Sequence, residues 1–252
     1  MPTVTEFPPG TPVWADLQTS DRAAASSFYR SLFGWHVPEA DPAHGGYAVA
    51  ELSGTPVTAI GPFPPGMERP VWTVYFAVAD IDASAAAATE TGGAVLLPPG
   101  ELMPGVRLAI VADPAGAVLG LWQRDHDAPW LRDEPGAVDW LELAAPDYEG
   151  TFPFYEAVLG VAVSEMRVND EPYGLFDVGP ANVAGATTAA PGVQAHWLVY
   201  FGVADLDAAV LRLTELGGSI LEAPVAAEGV GRWAIVADAQ GAGFGLLEPE
   251  AR

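Results

Sequence analysis

VWADLQTSDRAAASSFYRSLFGW, residues 13–35, sets one strand against one helix. From Val13 to Leu17, Val, Ala and Leu alternate with Trp and Asp, the two-residue period of a half-buried strand. Asp21 then stands where a helix N-cap is expected. Ala25, Phe28, Tyr29, Leu32 and Phe33 recur at helical spacing, and Gly34 ends the run. The chain writes this pattern a second time. In WLELAAPDYEGTFPFYEAVLG, residues 140–160, Trp140 matches Trp14, Asp147 matches Asp21, Phe154 and Tyr155 match Phe28 and Tyr29, and Gly160 matches Gly34. The residue numbers differ by 126 throughout. A duplication of this kind fixes the architecture before any local assignment does.

Outward from these stretches the repeat continues. Tyr47–Leu52 and Thr55–Ile60 read as a hairpin across Ser53-Gly54, and Tyr47–Pro62 is matched without a gap by Tyr173–Thr188. One residue is then lost in the Pro-rich crossover 62–70, and WTVYF at 72–76 matches WLVYF at 197–201. Helices start at Asp80 or Asp82 in the first copy and stop at Gly92-Gly93, echoed by Gly217-Gly218. Strands at 94–97, 106–112 and 117–123 complete the first copy, the last two joined by the turn Asp113-Pro114-Ala115-Gly116. Pro153 is compatible only with a helix's first turn, so the second copy's first helix is expected to begin near Thr151. The organisation expected is an extended arm at 1–12, a domain at 13–123, a charged surface linker at 124–137 and a second domain at 138–248. Each domain is read as two βαβββ units, an α+β fold.

The chain has 252 residues, 33 Asp and Glu against 10 basic residues, a formal charge of −23, and no cysteine. Such acidity repels phosphate backbones and anionic membranes, so neither nucleic acid nor a membrane is an expected partner. Its simplest use is solubility. Without cysteine there are no disulfides, thiolate nucleophiles or Cys-held metals. The first residues lack a basic region and a long apolar run, which points to the cytoplasm. No Gly-rich phosphate loop follows a strand. His36, His44, His126 and His196 show no metal-ligand spacing. Arg107 and Arg232 share one repeat position and are read as tying a strand to a nearby carboxylate, with anion binding as the alternative.

The D-x(6)-FY-x(3)-FG helix of Asp21–Gly34, the helix starts VADIDA at Val78 and VADLDA at Val203, and DPAGAVLGLWQ from Asp113 together resemble the vicinal oxygen chelate superfamily. That group includes glyoxalase I, bleomycin-resistance proteins and extradiol dioxygenases, and the chain looks like its tandem two-domain branch. The resemblance implies that each pair of units curls into an open, cupped mixed sheet, with helices on the convex side and a divalent metal in the concavity. Its metal positions fall on Trp14, Thr73, Gly120 and the stretch 57–60, and in the second copy on Trp140, Leu198, Gly245 and 183–186. Indole, glycine and aliphatic side chains donate nothing to a divalent ion. No metal and no other cofactor is therefore expected.

Given those inward positions, strand alternation places Trp14, Asp16, Thr73, Tyr75, Gly120 and Trp122 in one cup, and Trp140, Glu142, Leu198, Tyr200, Gly245 and Leu247 in the other. Aromatic walls with one acid suit a flat or apolar organic molecule. Trp14 and Trp140 either stack on such a ligand or fill its space. The glycines either leave it room or permit close packing. Asp16 and Glu142 are the acid–base candidates, since burial raises a carboxyl pKa toward neutrality. The function expected first is metal-independent binding of an aromatic or apolar small molecule by a resistance or sequestration protein, monomeric or homodimeric. The alternatives are a cofactor-free isomerase, lyase or cyclase using Asp16 or Glu142, and a glyoxalase-like enzyme with relocated metal ligands.

Overall fold

The computed structural model describes residues 3–39, 45–64, 66–126 and 128–250. In the first half, β1 (Thr3–Val4) and β2 (Pro12–Thr19) precede α1 (Arg22–Phe33), β3 (Ala48–Leu52) and β4 (Thr55–Pro62). A second unit follows: β5 (Val71–Ala77), α2 (Ile81–Glu90), β6 (Ala94–Met103), β7 (Val106–Ala112) and β8 (Val118–Arg124). After the short β9 (Trp130–Leu131), the second half runs β10 (Val138–Ala145), α3 (Phe152–Leu159), β11 (Ala162–Val168), β12 (Glu171–Val178), β13 (Ala181–Thr188), β14 (His196–Gly202), α4 (Leu206–Glu215), β15 (Ser219–Ala227), β16 (Gly231–Ala237) and β17 (Gly243–Pro249). The caps sit where the sequence puts them. Asp21 Oδ1 accepts the Ala24 N–H at 3.0 Å, Asp80 caps α2, and Gly34 and Gly160 end α1 and α3 in the left-handed region. Thr151 closes a 3-10 turn that leads into α3.

Each half builds its own mixed sheet, so the cups form within halves and not across them. The first has the order β3-β4-β2-β5-β8-β7-β6, the second β11-β12-β13-β10-β14-β17-β16-β15. Strands β2 and β5 are antiparallel at the centre, each flanked by a parallel partner, β4 and β8; β10, β14, β13 and β17 repeat this. The halves differ by one strand. Where the second places β11, the described part of the first has only an isolated bridge between His36 and Glu51. Pro38 removes a ladder donor from that stretch. By contrast β11 turns into β12 through Asn169 and Asp170, both at positive φ as a two-residue hairpin requires. At the hairpin tip Asn169 Nδ2 donates to the Ala226 carbonyl at 3.0 Å, linking the two edge strands and curling the sheet into a half-barrel.

Helices and convex faces of both sheets share one core. Tyr29, Phe33, Trp35 and Trp72 interlock with Phe201 and Phe244, and Phe76 meets Trp197 with ring centroids 5.1 Å apart. Two reciprocal bonds clamp the halves: Tyr29 donates to Asp238 at 3.0 Å and Tyr155 to Asp113 at 2.8 Å. Each of these aspartates also holds its own turn, its other oxygen accepting two backbone N–H groups. The concave faces consequently point away from the shared core.

The connector departs from a surface linker. Trp130 and Leu131 are fully buried, and β9 pairs with β1, so the linker and the N-terminal arm form a two-stranded ribbon. An indole and an isobutyl group side by side have more to gain from burial than the charges around them have to lose. Arg107 and Arg232 make forked bonds to Asp82 and Asp207, tying β7 and β16 to the first turns of α2 and α4. His36 and His126 are exposed, and His196 Nδ1 lies 2.9 Å from the Gln194 carbonyl; His44 lies outside the described residues. No described helix is long and apolar enough to cross a membrane.

Candidate functional site

Each cup carries the same hydrogen-bonded chain. In the first, Trp14 Nε1 donates to the Tyr47 hydroxyl at 2.9 Å, and Tyr47 donates to Asp16 at 2.9 Å. Tyr75 reaches both Asp16 oxygens at 3.1 Å. In the second, Trp140 donates to Tyr173 at 2.9 Å, Tyr173 to Glu142 at 2.8 Å and Tyr200 to Glu142 at 2.9 Å. The indoles therefore reach the carboxylates through a tyrosine and not directly. Tyr47 and Tyr173 were not among the residues picked out from the sequence. They share a repeat position at the head of a hairpin strand, which was the available signal.

The glycines are explained by these tyrosines. A Cβ on Gly120 or Gly245 would overlap the ring of Tyr75 or Tyr200. The space is thus taken by a side chain of the protein, and a tyrosine lying flat over a glycine keeps its hydroxyl aimed at the acid. Thr73 is buried and donates to Gln18 at 2.8 Å, while Gln18 donates to Asp16. At the positions of Gln18 and Thr73 the second cup has Ala144 and Leu198, so Glu142 lacks that third donor.

Burial pushes the Asp16 carboxyl up to about 6, against the lowering effect of its bonds from Tyr47, Gln18 and Tyr75. Glu142 is raised as well, first by burial and further by the charge of Glu222, against the bonds from Tyr173 and Tyr200. The four tyrosines are held well above the usual phenol range by burial beside a carboxylate, which keeps them as donors.

Above these networks the cups diverge. Over the first, Phe7 of the arm packs against the cluster of Val13, Tyr75 and Ala77, joined by Trp122, Leu108 and Ile110. The Arg124 guanidinium lies 4.3 Å from the Phe7 ring centre, and Trp130 stands 6.4 Å from Phe7 and 6.0 Å from Trp14. Trp122 sets its edge against Tyr75, and its buried Nε1 has no acceptor among the described residues. Over the second cup lies a cavity of about 510 Å³. Trp140, Tyr173, Tyr200, Val230, Trp233 and Leu247 line it, and Glu142 lies at its floor. Leu198 is buried against Tyr200 and Leu247 behind this lining. Trp233 was also missed from the sequence, because its repeat partner is Leu108.

Two stretches of the sequence match one family in tandem. Residues 11–121 and 137–246 each match Glyoxalase, the Glyoxalase/Bleomycin resistance protein/Dioxygenase superfamily. The chain belongs to that superfamily. It is 40% identical over 258 residues to "Putative glyoxylase CFP32" of Mycobacterium tuberculosis (strain CDC 1551 / Oshkosh), covering 99% of this chain and 98% of that one. It is 35% identical over 263 residues to the anthracycline biosynthesis protein DnrV of Streptomyces peucetius, covering 97% and 95%. Among solved structures, the Mn(II)-bound glyoxalase from Novosphingobium aromaticivorans superposes with a TM-score of 0.64 at 18% identity, covering 96% of this chain and 83% of that one. That last likeness is one of fold.

The superfamily's metal does not fit the residues present. At the positions the resemblance assigns to ligands stand Trp14, Thr73 and Gly120, then Trp140, Leu198 and Gly245. The carboxylate nearest those positions, Asp16 or Glu142, already accepts two or more side-chain donors. Among the described residues no three His, Asp or Glu side chains come close enough to share an ion.

Proposed function

We propose that the concave face of the second half is the working site and that it holds a flat, largely apolar organic molecule without a metal ion, as a sequestering or carrier protein would. The cavity over Glu142 carries this proposal: about 510 Å³ is the size of a pocket for a drug-like molecule, and its walls are mainly aromatic and aliphatic. Glu142 accepts from two tyrosines and keeps lone pairs for a ligand hydroxyl or N–H. The name of the relative DnrV, an anthracycline biosynthesis protein, supports a polycyclic aromatic ligand. Intrinsic Trp fluorescence and calorimetry with a panel of flat polycycles test the proposal. One saturable site is expected, insensitive to a chelator, weakened about tenfold or more by Trp233→Ala and unaffected by Leu108→Ala. A panel without any saturable response, or binding that the chelator abolishes, would sink it.

The raised Glu142 carboxyl favours a second reading, proton transfer on a bound ketone or enol. Glu142, a carboxylate held by Tyr173 and Tyr200, would take a proton from carbon or oxygen of the ligand, keep it as the neutral acid and return it elsewhere on the ligand, which restores the carboxylate. Solvent-deuterium exchange into a bound enolisable aromatic ketone measures this. Glu142→Gln should stop exchange and spare binding; equal exchange in the variant rejects the step.

A further inference from the structure

The first cup shows what its twin is shaped to receive. There the chain supplies its own occupant, an aromatic ring from Phe7 with the Arg124 guanidinium stacked 4.3 Å from its centre. In the second cup the repeat position of Arg124 is Pro249, and a cavity lies over the cluster of Leu198, Tyr200 and Leu247. The ionisable residues lining that cavity are Asp139, Glu142 and Glu250, all acidic. Glu222 stands close enough to act on both Glu142 and Tyr200.

Nearby cations are committed elsewhere. Arg232 is bonded to Asp207 and Glu248, Arg167 to the Asp170 carbonyl, and Arg132 to the Asp139 carbonyl while lying over the Trp130 ring. Arg132 offsets part of the charge of Asp139. Glu142 and Glu250 remain, facing Trp140, Trp233 and two tyrosines. Carboxylates beside aromatic faces in a concave site attract an organic ammonium by charge and by the ring quadrupole together.

We propose that the second cup selects a flat aromatic molecule bearing a protonated amine, which takes the places that Phe7 and Arg124 fill in the first. This rests on the second cup being a ligand site, and it adds the ligand's charge. The test uses the full chain and three probes of one shape: 9-(aminomethyl)anthracene, 9-(hydroxymethyl)anthracene and 9-anthracenecarboxylate, followed by calorimetry and Trp-to-anthracene energy transfer near neutral pH. The amine is expected to bind about tenfold more tightly than the alcohol, with the carboxylate weakest. Added salt should narrow the gap between amine and alcohol, and Glu250→Gln should shrink it severalfold. Alcohol and amine binding equally, or the carboxylate binding best, overturns the charge preference and leaves the ligand site standing. Failure of all three probes to bind overturns both.

Discussion

In the first half the concave face meets Phe7, Arg124 and Trp122; in the second the same face meets a cavity. Beneath, the Trp–Tyr–acid–Tyr chains are the same to within a few tenths of an ångström. The differences lie around the acid. Asp16 has a third donor in Gln18, itself held by Thr73, and is nearly sealed at 4% exposure; Glu142 has neither neighbour and opens onto the cavity. In one copy of a duplicated scaffold Phe7 of the arm packs against the Tyr75 cluster, and in the other a cavity lies over the matching residues. The shared convex core, clamped by Tyr29–Asp238 and Tyr155–Asp113, lets the sealed half steady the open one.

The largest effect that would separate the cups is electrostatic. Asp16 binds its proton more tightly folded, at about 6, than unfolded, at 3.8. Its contribution to stability is therefore fully present below about pH 4 and is lost as the pH rises through 6, a swing of about 3 kcal/mol. Denaturant titrations near pH 4 and pH 7 should show wild type losing that much relative to Asp16→Asn at the higher pH. Matching pH slopes in the two proteins would mean that Asp16 is not sealed. Glu142→Gln is expected to alter the slope less, because the cavity admits solvent to the carboxylate.

Next comes the plug itself. Phe7→Ala removes a half-buried ring and is expected to cost about 2 kcal/mol of stability. It should also free the Tyr75 and Trp122 surfaces, so that calorimetric stoichiometry for an uncharged flat aromatic moves from one toward two, while the Arg124 guanidinium disfavours an ammonium there. A stoichiometry that stays at one, with stability unchanged, would show that Phe7 does not distinguish the cups.

How far these differences could be read in advance depended on whether they were local. Trp14, Asp16 and Tyr75, with Trp140, Glu142 and Tyr200, were legible because the resemblance marked the inward positions, and strand alternation and the repeat, offset by 126 and then 125, put these residues on that face. So were Asp21, Gly34 and Pro153, whose roles are set by their own backbone. The plug was not: Phe7 reaches the cup through pairing of β1 with β9, a contact between residues more than a hundred positions apart. Gly120 and Gly245 invited a ligand until Tyr75 and Tyr200 were seen lying across them. Trading Thr73 and Trp122 for Leu198 and Leu247 makes the second cup look drier on paper, yet it holds the cavity. A segment distant in sequence, Phe7, covers part of the first cup, which its own lining does not announce.

The finest distinction is between two tyrosine hydroxyls doing the same job in different surroundings. Tyr47→Phe leaves the Trp14 N–H without its acceptor and Asp16 without a donor, beside the surface that Phe7 covers. A buried polar group stripped of its partner costs about 1–3 kcal/mol when no water replaces it. Tyr173→Phe makes the same deletion from Trp140 and Glu142, but these line the cavity, where a water can bridge the gap. Tyr47→Phe should therefore destabilise the protein by about 1 kcal/mol more than Tyr173→Phe in paired denaturant titrations. Tyr173→Phe should in turn show the larger loss of affinity for a flat aromatic probe, since Tyr173 lines the cavity. If the two substitutions cost the same stability, water reaches both cups alike, and the plug over the first excludes less than its packing implies.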